Sequence, residues 1–264
     1  MKVDILVQGS SDLTTFEALK IYNSLDFVDK VILSSYESTM PFKVPNGVTF
    51  VDNDLIAPGI GNRNLQINTT RNGLEKVEST YCIRIRSDLI VSARALREML
   101  DYWIKNDDPE NRIKTEGEPF GRLYVLSLAT KFVYHPRDHI FCGFTDDMRK
   151  FFDCPFDTFV NTTNDNVQDP YSSVYDYQPQ TEIWLGMHYY AKYDADAAKH
   201  ANNFQQYVTN KAPLKDEAWA TEKKNLDRLF VSFPMIKGIS WPKHNLTEYP
   251  YDWITINGEY WSTD

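Results

Sequence analysis

Residues Thr80 to Val91, TYCIRIRSDLIV, decide how the chain is read. The first half reads as a buried strand: Tyr81, Ile83 and Ile85 alternate with Cys82 and Arg84, the period of two that a strand requires. A polar step follows, Arg86-Ser87-Asp88, and then an apolar run resumes with Leu89-Ile90-Val91. A carboxylate at the end of a core strand needs a partner, a cation or a metal. A strand that simply ends at a polar turn is the plain alternative.

Upstream of this stretch the chain alternates strands and helices. Val3 to Val7 reads as a strand, followed by the polar turn Gln8-Gly9-Ser10-Ser11-Asp12. Asp12 or Thr14 is placed to cap a helix over Thr15 to Leu25. Val31 to Ser35 and Val48 to Val51 are further strands, each ending in polar residues. In open α/β sheets ligands bind beyond the carboxyl ends of the strands, which places a nucleotide across Gln8-Gly9-Ser10, Tyr36 and Asp52. After the loop Pro58-Gly59-Ile60-Gly61, the segment NRNLQINTTRNGLEKVES reads as a helix from Asn62. Arg63, Gln66, Thr70 and Arg71 gather two cations and two polar side chains near its start. Helix N-termini favour phosphate and arginine gives it forked contacts; a solvated helix face is the alternative.

Downstream, Ser92 caps a helix over Ala93 to Trp103, and the charged segment 106–118 reads as a linker. It divides a nucleotide half, 1–105, from an acceptor half, 119–264. Leu123 to Leu128 and Phe132 to Pro136 are expected strands. His135-Pro136-Arg137-Asp138-His139 is the densest titratable cluster, immediately before an apolar strand at Ile140 to Phe144. Met148 to Phe152 reads as a short helix. Phe156 to Pro179 is a long aromatic-bearing loop, and loops of that length are commonly functional. Thr181 starts a helix with Glu182 in its first turn, where the helix dipole favours an acid and a general base is well placed. Helices are expected over Asp194 to Asn210 and Lys211 to Leu226, and a strand over Leu229 to Phe233. Ile239 to His244 is expected to fold back over the nucleotide site as a cationic tail.

Composition narrows the function classes. The 264 residues are 42% hydrophobic, 25% charged and 14% aromatic, with a net charge of −9. That charge argues against nucleic acid or anionic lipid as a partner. Cys82, Cys142 and Cys154 show no metal-binding spacing, so reduced thiols in a cytoplasmic setting are expected. MKVDILVQGS is not a signal peptide, and no segment is apolar over the roughly 18 residues of a membrane span. The expectation is a cytoplasmic protein, at most peripheral at a membrane. No GxGxxG or GxxxxGK[ST] signature is present.

Taken together, GNRNLQINTTRNGL, YCIRIRSDLIV, HPRDHIFCGF and QPQTEIWLG resemble the WavE family of lipopolysaccharide and capsule glycosyltransferases, also found in large DNA viruses. The matching positions are Gln66, Gly73-Leu74, Arg84-x-Arg86-Ser87-Asp88, Asp138 to Gly143, and Glu182. The family's Pro-Glu step is here Pro179-Gln180-Thr181-Glu182, with two residues inserted. The resemblance covers residues 1 to 190. It implies a GT-A-type fold, a Rossmann-like mixed central sheet flanked by helices. Arg86-Ser87-Asp88 is similar to the Asp-x-Asp motif of that fold with its first acid replaced.

The implied activity is transfer of a sugar from a nucleotide-sugar donor, UDP-sugar favoured, to a hydroxyl of an oligosaccharide or growing glycan, with inversion. Asp88 would hold Mn²⁺ or Mg²⁺ against the diphosphate, with Arg86, Arg71 and Arg63 sharing that task or replacing the metal. Gln8, Ser10 and Gln66 would meet the base or ribose, with Tyr36 and Ser87 in the same nucleotide site. Glu182 would be the general base and Asp138 the second candidate; otherwise Asp138 binds sugar hydroxyls. His139 and His244 are weaker candidates for metal or phosphate, and aromatics between 156 and 184 for sugar stacking. Two other readings stay open: a non-catalytic carbohydrate-binding protein, and a sugar nucleotidyltransferase, whose basic glycine-rich loop is missing at Gln8-Gly9-Ser10-Ser11.

Overall fold

The computed structural model describes residues 2–36, 43–59, 62–107, 113–114, 119–120, 122–128, 134–157, 181–202, 220–223, 229–248, 253–256 and 259–262. The elements run β1 (Val3–Gln8), α1 (Leu13–Asn23), β2 (Val28–Ser35), β3 (Val48–Asp52), α2 (Arg63–Leu74), β4 (Tyr81–Arg86), β5 (Ile90–Val91) and α3 (Ala93–Asn106). They continue with β6 (Ile113–Lys114), β7 (Pro119–Phe120), β8 (Leu123–Val125), β9 (Ile140–Phe144), α4 (Thr145–Phe152), α5 (Thr181–Tyr190) and α6 (Ala195–Asn202). The last strands are β10 (Phe230–Ser232), β11 (Ile239–Ser240), β12 (Trp253–Ile256) and β13 (Glu259–Ser262).

Seven strands form one mixed sheet in the order β10-β8-β9-β4-β1-β2-β3. β3, β2, β1 and β4 are parallel, β9 runs against both β4 and β8, and β10 is parallel to β8. This is the expected α/β arrangement of a mixed central sheet flanked by helices, with strands from both halves of the chain in a single sheet. β1 is buried at every position, as expected of a parallel strand covered on both faces. Val3, Ile5 and Val7 share a core with Leu19 and Tyr22 of α1 and Leu96, Met99 and Trp103 of α3. Leu6 faces the opposite core, with Ile67 of α2, Phe151 of α4, and Leu185 and Met187 of α5. Among the described residues no helix is long and apolar enough to cross a membrane.

The stretch Tyr81 to Val91 is not one continuous strand. β4 stops at Arg86, and Ser87 turns back to donate its backbone N–H to the Gln8 carbonyl at 2.8 Å. β5 then leaves the main sheet and pairs with β11. The turn packs directly on the one after β1. Ser87 Oγ donates to the Ser10 carbonyl at 2.5 Å, and Thr15 Oγ1 donates to the Ser87 carbonyl at 2.9 Å. Gly9 sits between them at φ +122°, and a Cβ there would lie 2.7 Å from Ser87 Oγ. Asp12 caps α1, accepting from the Thr15 N–H at 2.9 Å while its own N–H donates to Thr15 Oγ1 at 3.1 Å.

Other boundaries also differ from the sequence reading. α2 ends at Leu74 rather than continuing through Ser79. The reason is Asp4, fully buried in β1. Its carboxylate accepts from the Glu78 N–H at 2.8 Å, the Ser79 N–H at 3.0 Å and Ser79 Oγ at 2.7 Å. Those donors turn the chain into β4 instead of extending the helix. The strand expected over Leu123 to Leu128 is shorter, and Leu128 instead bridges to Pro136. The strand expected over 132–136 is not seen at its described end, where Tyr134 takes a left-handed φ of 57°. Residues 108–112 and 115–118 of the expected linker, 158–180 of the aromatic loop, and 203–210, 211–219 and 224–226 of the expected helices lie outside the described residues.

α5 reaches the segment before β9 because Gly186 carries no side chain; a Cβ there would sit 1.9 Å from the Tyr134 carbonyl oxygen. Backbone cannot yield as a side-chain tip does, so Gly186→Ala is expected to push α5 off this segment and destabilise the fold by about 1–3 kcal/mol or more. Asp4→Leu is expected to destabilise by about 3 kcal/mol, since it removes the one side chain that accepts from the Glu78 and Ser79 N–H groups and the Ser79 hydroxyl together. Urea unfolding of each variant measures both effects.

Candidate functional site

The polar edge of the sheet gathers side chains from six separate places. β4 runs antiparallel to β9, and Ile85 pairs with Ile140. The residues after β4 therefore lie beside those before β9, and the Arg86 N–H donates to the His139 carbonyl at 3.0 Å. This brings Arg86 and Asp138 together. Arg86 Nη1 donates to Asp138 Oδ1 at 3.1 Å. From α2, Gln66 Nε2 donates to Asp138 Oδ2 at 2.7 Å. From the first turn of α5, the Glu182 carboxyl hydrogen-bonds the same Asp138 side chain. Glu182 Oε2 also lies 4.0 Å from His135 Nε2.

The other edge of the Arg86 guanidinium forms a fork with Asp88: Nε donates to Oδ1 at 3.0 Å and Nη2 to Oδ2 at 2.8 Å. Trp241 Nε1 donates to that same Oδ2 at 3.0 Å. Behind them Arg84 is fully buried. It donates through Nη1 to the Asp138 carbonyl and through Nη2 to Gln8 Oε1. Gln8 Nε2 in turn donates to Thr69 Oγ1 at 2.7 Å.

Electrostatics separate the two acids. Burial alone would raise the Asp138 carboxyl, but Arg86, followed by His139 and Arg84, more than reverses it, so Asp138 is held well below the ordinary carboxylate range. Glu182 goes the other way. Burial, then the charge on Asp138, pushes it well above the ordinary glutamate value. Glu182 thus keeps its proton and donates it toward Asp138, because two carboxyls sharing one site do not both ionise readily. Asp88 is lowered, its burial outweighed by Arg86. His139 is pushed down to about 3 by burial and then by Arg86. With Glu182 protonated, the guanidiniums of Arg84 and Arg86 balance the carboxylates of Asp88 and Asp138. Exposure is graded: the Asp138 side chain is 3% exposed, Glu182 18% and Arg86 28%.

The arrangement bears on the expected metal. Both oxygens of Asp88 already accept hydrogen bonds, from Arg86 and from the Trp241 indole. Among the described residues no group of three His, Cys, Asp or Glu is placed to hold an ion. In this arrangement the Asp88 carboxylate is engaged by Arg86 and Trp241.

The sequence candidates divide into two sets. Arg86, Asp88, Asp138, Glu182 and Gln66 come together, and Gln66 meets Asp138 rather than facing outward. Gln8 and Ser87 lie behind this cluster as internal supports. Ser10 is exposed at the adjoining turn, and its carbonyl holds Ser87. Tyr36 is buried, its hydroxyl on the Leu65 carbonyl at 3.3 Å and pushed up to about 12 by burial.

Two residues expected at phosphate make other contacts within the fold. Arg63 is fully buried and pairs with Asp157 at 2.9 Å, with its guanidinium 4.6 Å from the Trp184 ring centre. Arg71 Nε donates to the Phe152 carbonyl at 2.7 Å and its Nη2 to the Cys154 carbonyl, at the C-terminal end of α4, where cations are favoured. The segment 239–244 pairs back onto β5 and meets the cluster through the Trp241 indole; the side chain of His244 lies outside the described residues. Arg84 was matched to the family pattern but given no role in the site, and Trp241 was not singled out in the sequence. Arg84 is hidden by its place inside an apolar alternation, and Trp241 by its distance along the chain.

No curated protein matches the sequence. Among solved structures, residues 1-349 of TarS from S. aureus align at 11% identity with a TM-score of 0.44, covering 86% of this chain and 70% of that one. The bifunctional IspDF from Campylobacter jejuni aligns at 11% identity and a TM-score of 0.39, over 61% of this chain and 45% of that one. The present chain therefore spans less than half the length of IspDF. HddC from Yersinia pseudotuberculosis aligns at 11% identity and 0.35, over 64% of this chain and 87% of that one. A family model described as WavE lipopolysaccharide synthesis matches residues 45–217, a span holding Gln66, Arg86, Asp88, Asp138 and Glu182. The chain belongs to the WavE lipopolysaccharide synthesis family.

Proposed function

We propose that this protein is a glycosyltransferase that moves a sugar from a nucleotide-sugar donor, a UDP-sugar being favoured, to a hydroxyl of a growing glycan. Membership of a lipopolysaccharide synthesis family supports the reaction class. The observation that carries the mechanism is the pair of unlike carboxyls, Glu182 raised and Asp138 lowered, against one arginine. Pairs of titratable groups driven apart in this way mark acid–base assignments.

Glu182 is the general base in this reading. Its raised value places it near working pH, where a base is most effective. The acceptor oxygen attacks the anomeric carbon and gives its proton to Glu182. The bond from that carbon to the diphosphate oxygen breaks, and the electron pair leaves with the nucleoside diphosphate. One-step displacement inverts the anomeric centre. Asp138, ionised and held by Arg86 and Gln66, sets the Glu182 carboxyl in place. Arg86 is more exposed than Asp88, Asp138 and Glu182, and its remaining N–H donors meet the charge that develops on the diphosphate. The exposed turn at Ser10 adjoins the expected nucleotide position. The acceptor is a glycan under construction, and Trp184, half-buried on α5, is a candidate stacking surface for it.

Glu182→Gln is expected to lower kcat by about 10²–10⁴-fold while UDP binding is kept; full turnover in this variant would remove Glu182 as base. The base works deprotonated, so the rate should rise with pH through the raised Glu182 value. Asp138→Asn removes one of the two causes of that rise, leaving burial, and its rising limb should move to lower pH; a limb that stays put breaks the pairing. A thermal-shift series with UDP and GDP, in Mn²⁺ and in EDTA, tests Arg86. Stabilisation by a diphosphate that persists in EDTA agrees with an arginine-held leaving group, since ligand binding to the native state raises its stability. Stabilisation that vanishes in EDTA returns Asp88 to the role of metal ligand.

A further inference from the structure

Trp241 lies beyond the family-matched residues 45–217, yet its ring touches three members of the site. The indole N–H is 3.0 Å from Asp88 Oδ2. The ring meets the His139 imidazole edge-on, with centroids 4.7 Å apart and planes at 72°. The Arg86 guanidinium carbon lies 5.7 Å from the ring centre, within reach of a cation–π contact.

The backbone fixes where this ring goes. Ile239 pairs with Val91 and Ser240 with Ile90, so Trp241 follows a strand hydrogen-bonded just past Asp88. The Ser92 N–H donates to the Gly238 carbonyl at 2.8 Å. On the other side Trp241 and Leu246 exchange backbone hydrogen bonds at 2.8 and 3.2 Å, around a turn in which Asn245 takes a left-handed φ of 56°. The direction of the indole N–H is therefore set by the fold before any ligand arrives. A buried indole N–H usually takes a partner. Here that partner is the carboxylate that holds both Nε and Nη2 of Arg86.

We propose that Trp241 is a positioning residue for donor binding: it orients Asp88, Asp88 orients Arg86, and the segment around Ile236 to Leu246 completes the site that the family-matched part begins. The inference rests on the reading of Arg86 as the group that meets the donor diphosphate. Without the indole hydrogen bond the Asp88 carboxylate rotates more freely, and the Arg86 fork moves with it. A diphosphate then has to order a guanidinium that the wild-type protein holds ready.

The test is Trp241→Phe, which keeps an aromatic ring on the same backbone and removes the N–H. The affinity for UDP, or for GDP if that is the diphosphate the wild type binds, is expected to fall about tenfold with the variant still folded by circular dichroism. A folded variant with a lower melting temperature and unchanged diphosphate affinity would show a packing role only and overturn the proposal. A second arm does not depend on turnover or on this variant being stable. In a ¹⁵N-labelled wild-type protein the Trp241 indole N–H resonance, assigned by its loss in Trp241→Phe or Trp241→Tyr, should shift on Asp88→Asn while the other indole resonances hold. A Trp241 resonance that ignores Asp88→Asn overturns the link itself. If the wild type binds neither UDP nor GDP, the donor reading of Arg86 fails, and the resonance arm still decides whether Trp241 holds Asp88.

Discussion

A carboxylate almost fully withdrawn from water, Asp138, is the constraint on which the site depends. A buried charge is tolerated only when paired and hydrogen-bonded. Arg86 supplies the charge, Gln66 a further donor, and the protonated Glu182 another. These partners come from β4, α2 and α5, so satisfying one carboxylate ties three elements to the segment before β9. Removing a partner from such a pair typically destabilises by about 3–5 kcal/mol. The same field that steadies Asp138 keeps the proton on Glu182, so structure and chemistry have one electrostatic origin.

Topology makes the meeting possible. Had β9 been parallel to β4, the residues before it would sit at the far edge of the sheet from Arg86. Its reversal puts Asp138 and His139 beside the end of β4. The parallel strands β1 and β4 then bring Gln8 and Ser87 to the same edge, where Gly9 allows the two turns to touch. Gly186 does the equivalent for α5, whose first turn carries Glu182 to Asp138. Seven strands and the flanking helices act as a frame whose polar edge is held by a few contacts.

Arginines of similar sequence setting take different work. Arg84 and Arg86 lie two residues apart on one strand and face the same cluster, one fully buried behind it and the other partly exposed in front. Arg63 and Arg71 both looked like phosphate contacts on a helix. The fold uses them instead to anchor α2, Arg63 against Asp157 and Arg71 against the carbonyls ending α4. A guanidinium near a helix N-terminus has no fixed purpose until its neighbours are known.

The sequence alone determined the alternation of strands and helices, the polar step at Arg86-Ser87-Asp88, the cap at Ser92 and the family, because periodicity, capping and short motifs are local properties. The residues of the central cluster were also legible one by one: Asp88, Asp138, Glu182 and Gln66 stand at strand ends or helix starts. Their pairing was not. That Asp88 forks with Arg86, that Gln66 meets Asp138, and that Trp241 returns from 153 positions away to Asp88 were decided by the tertiary structure. Such contacts follow from strand order and direction, and those depend on which surfaces bury one another across the whole chain.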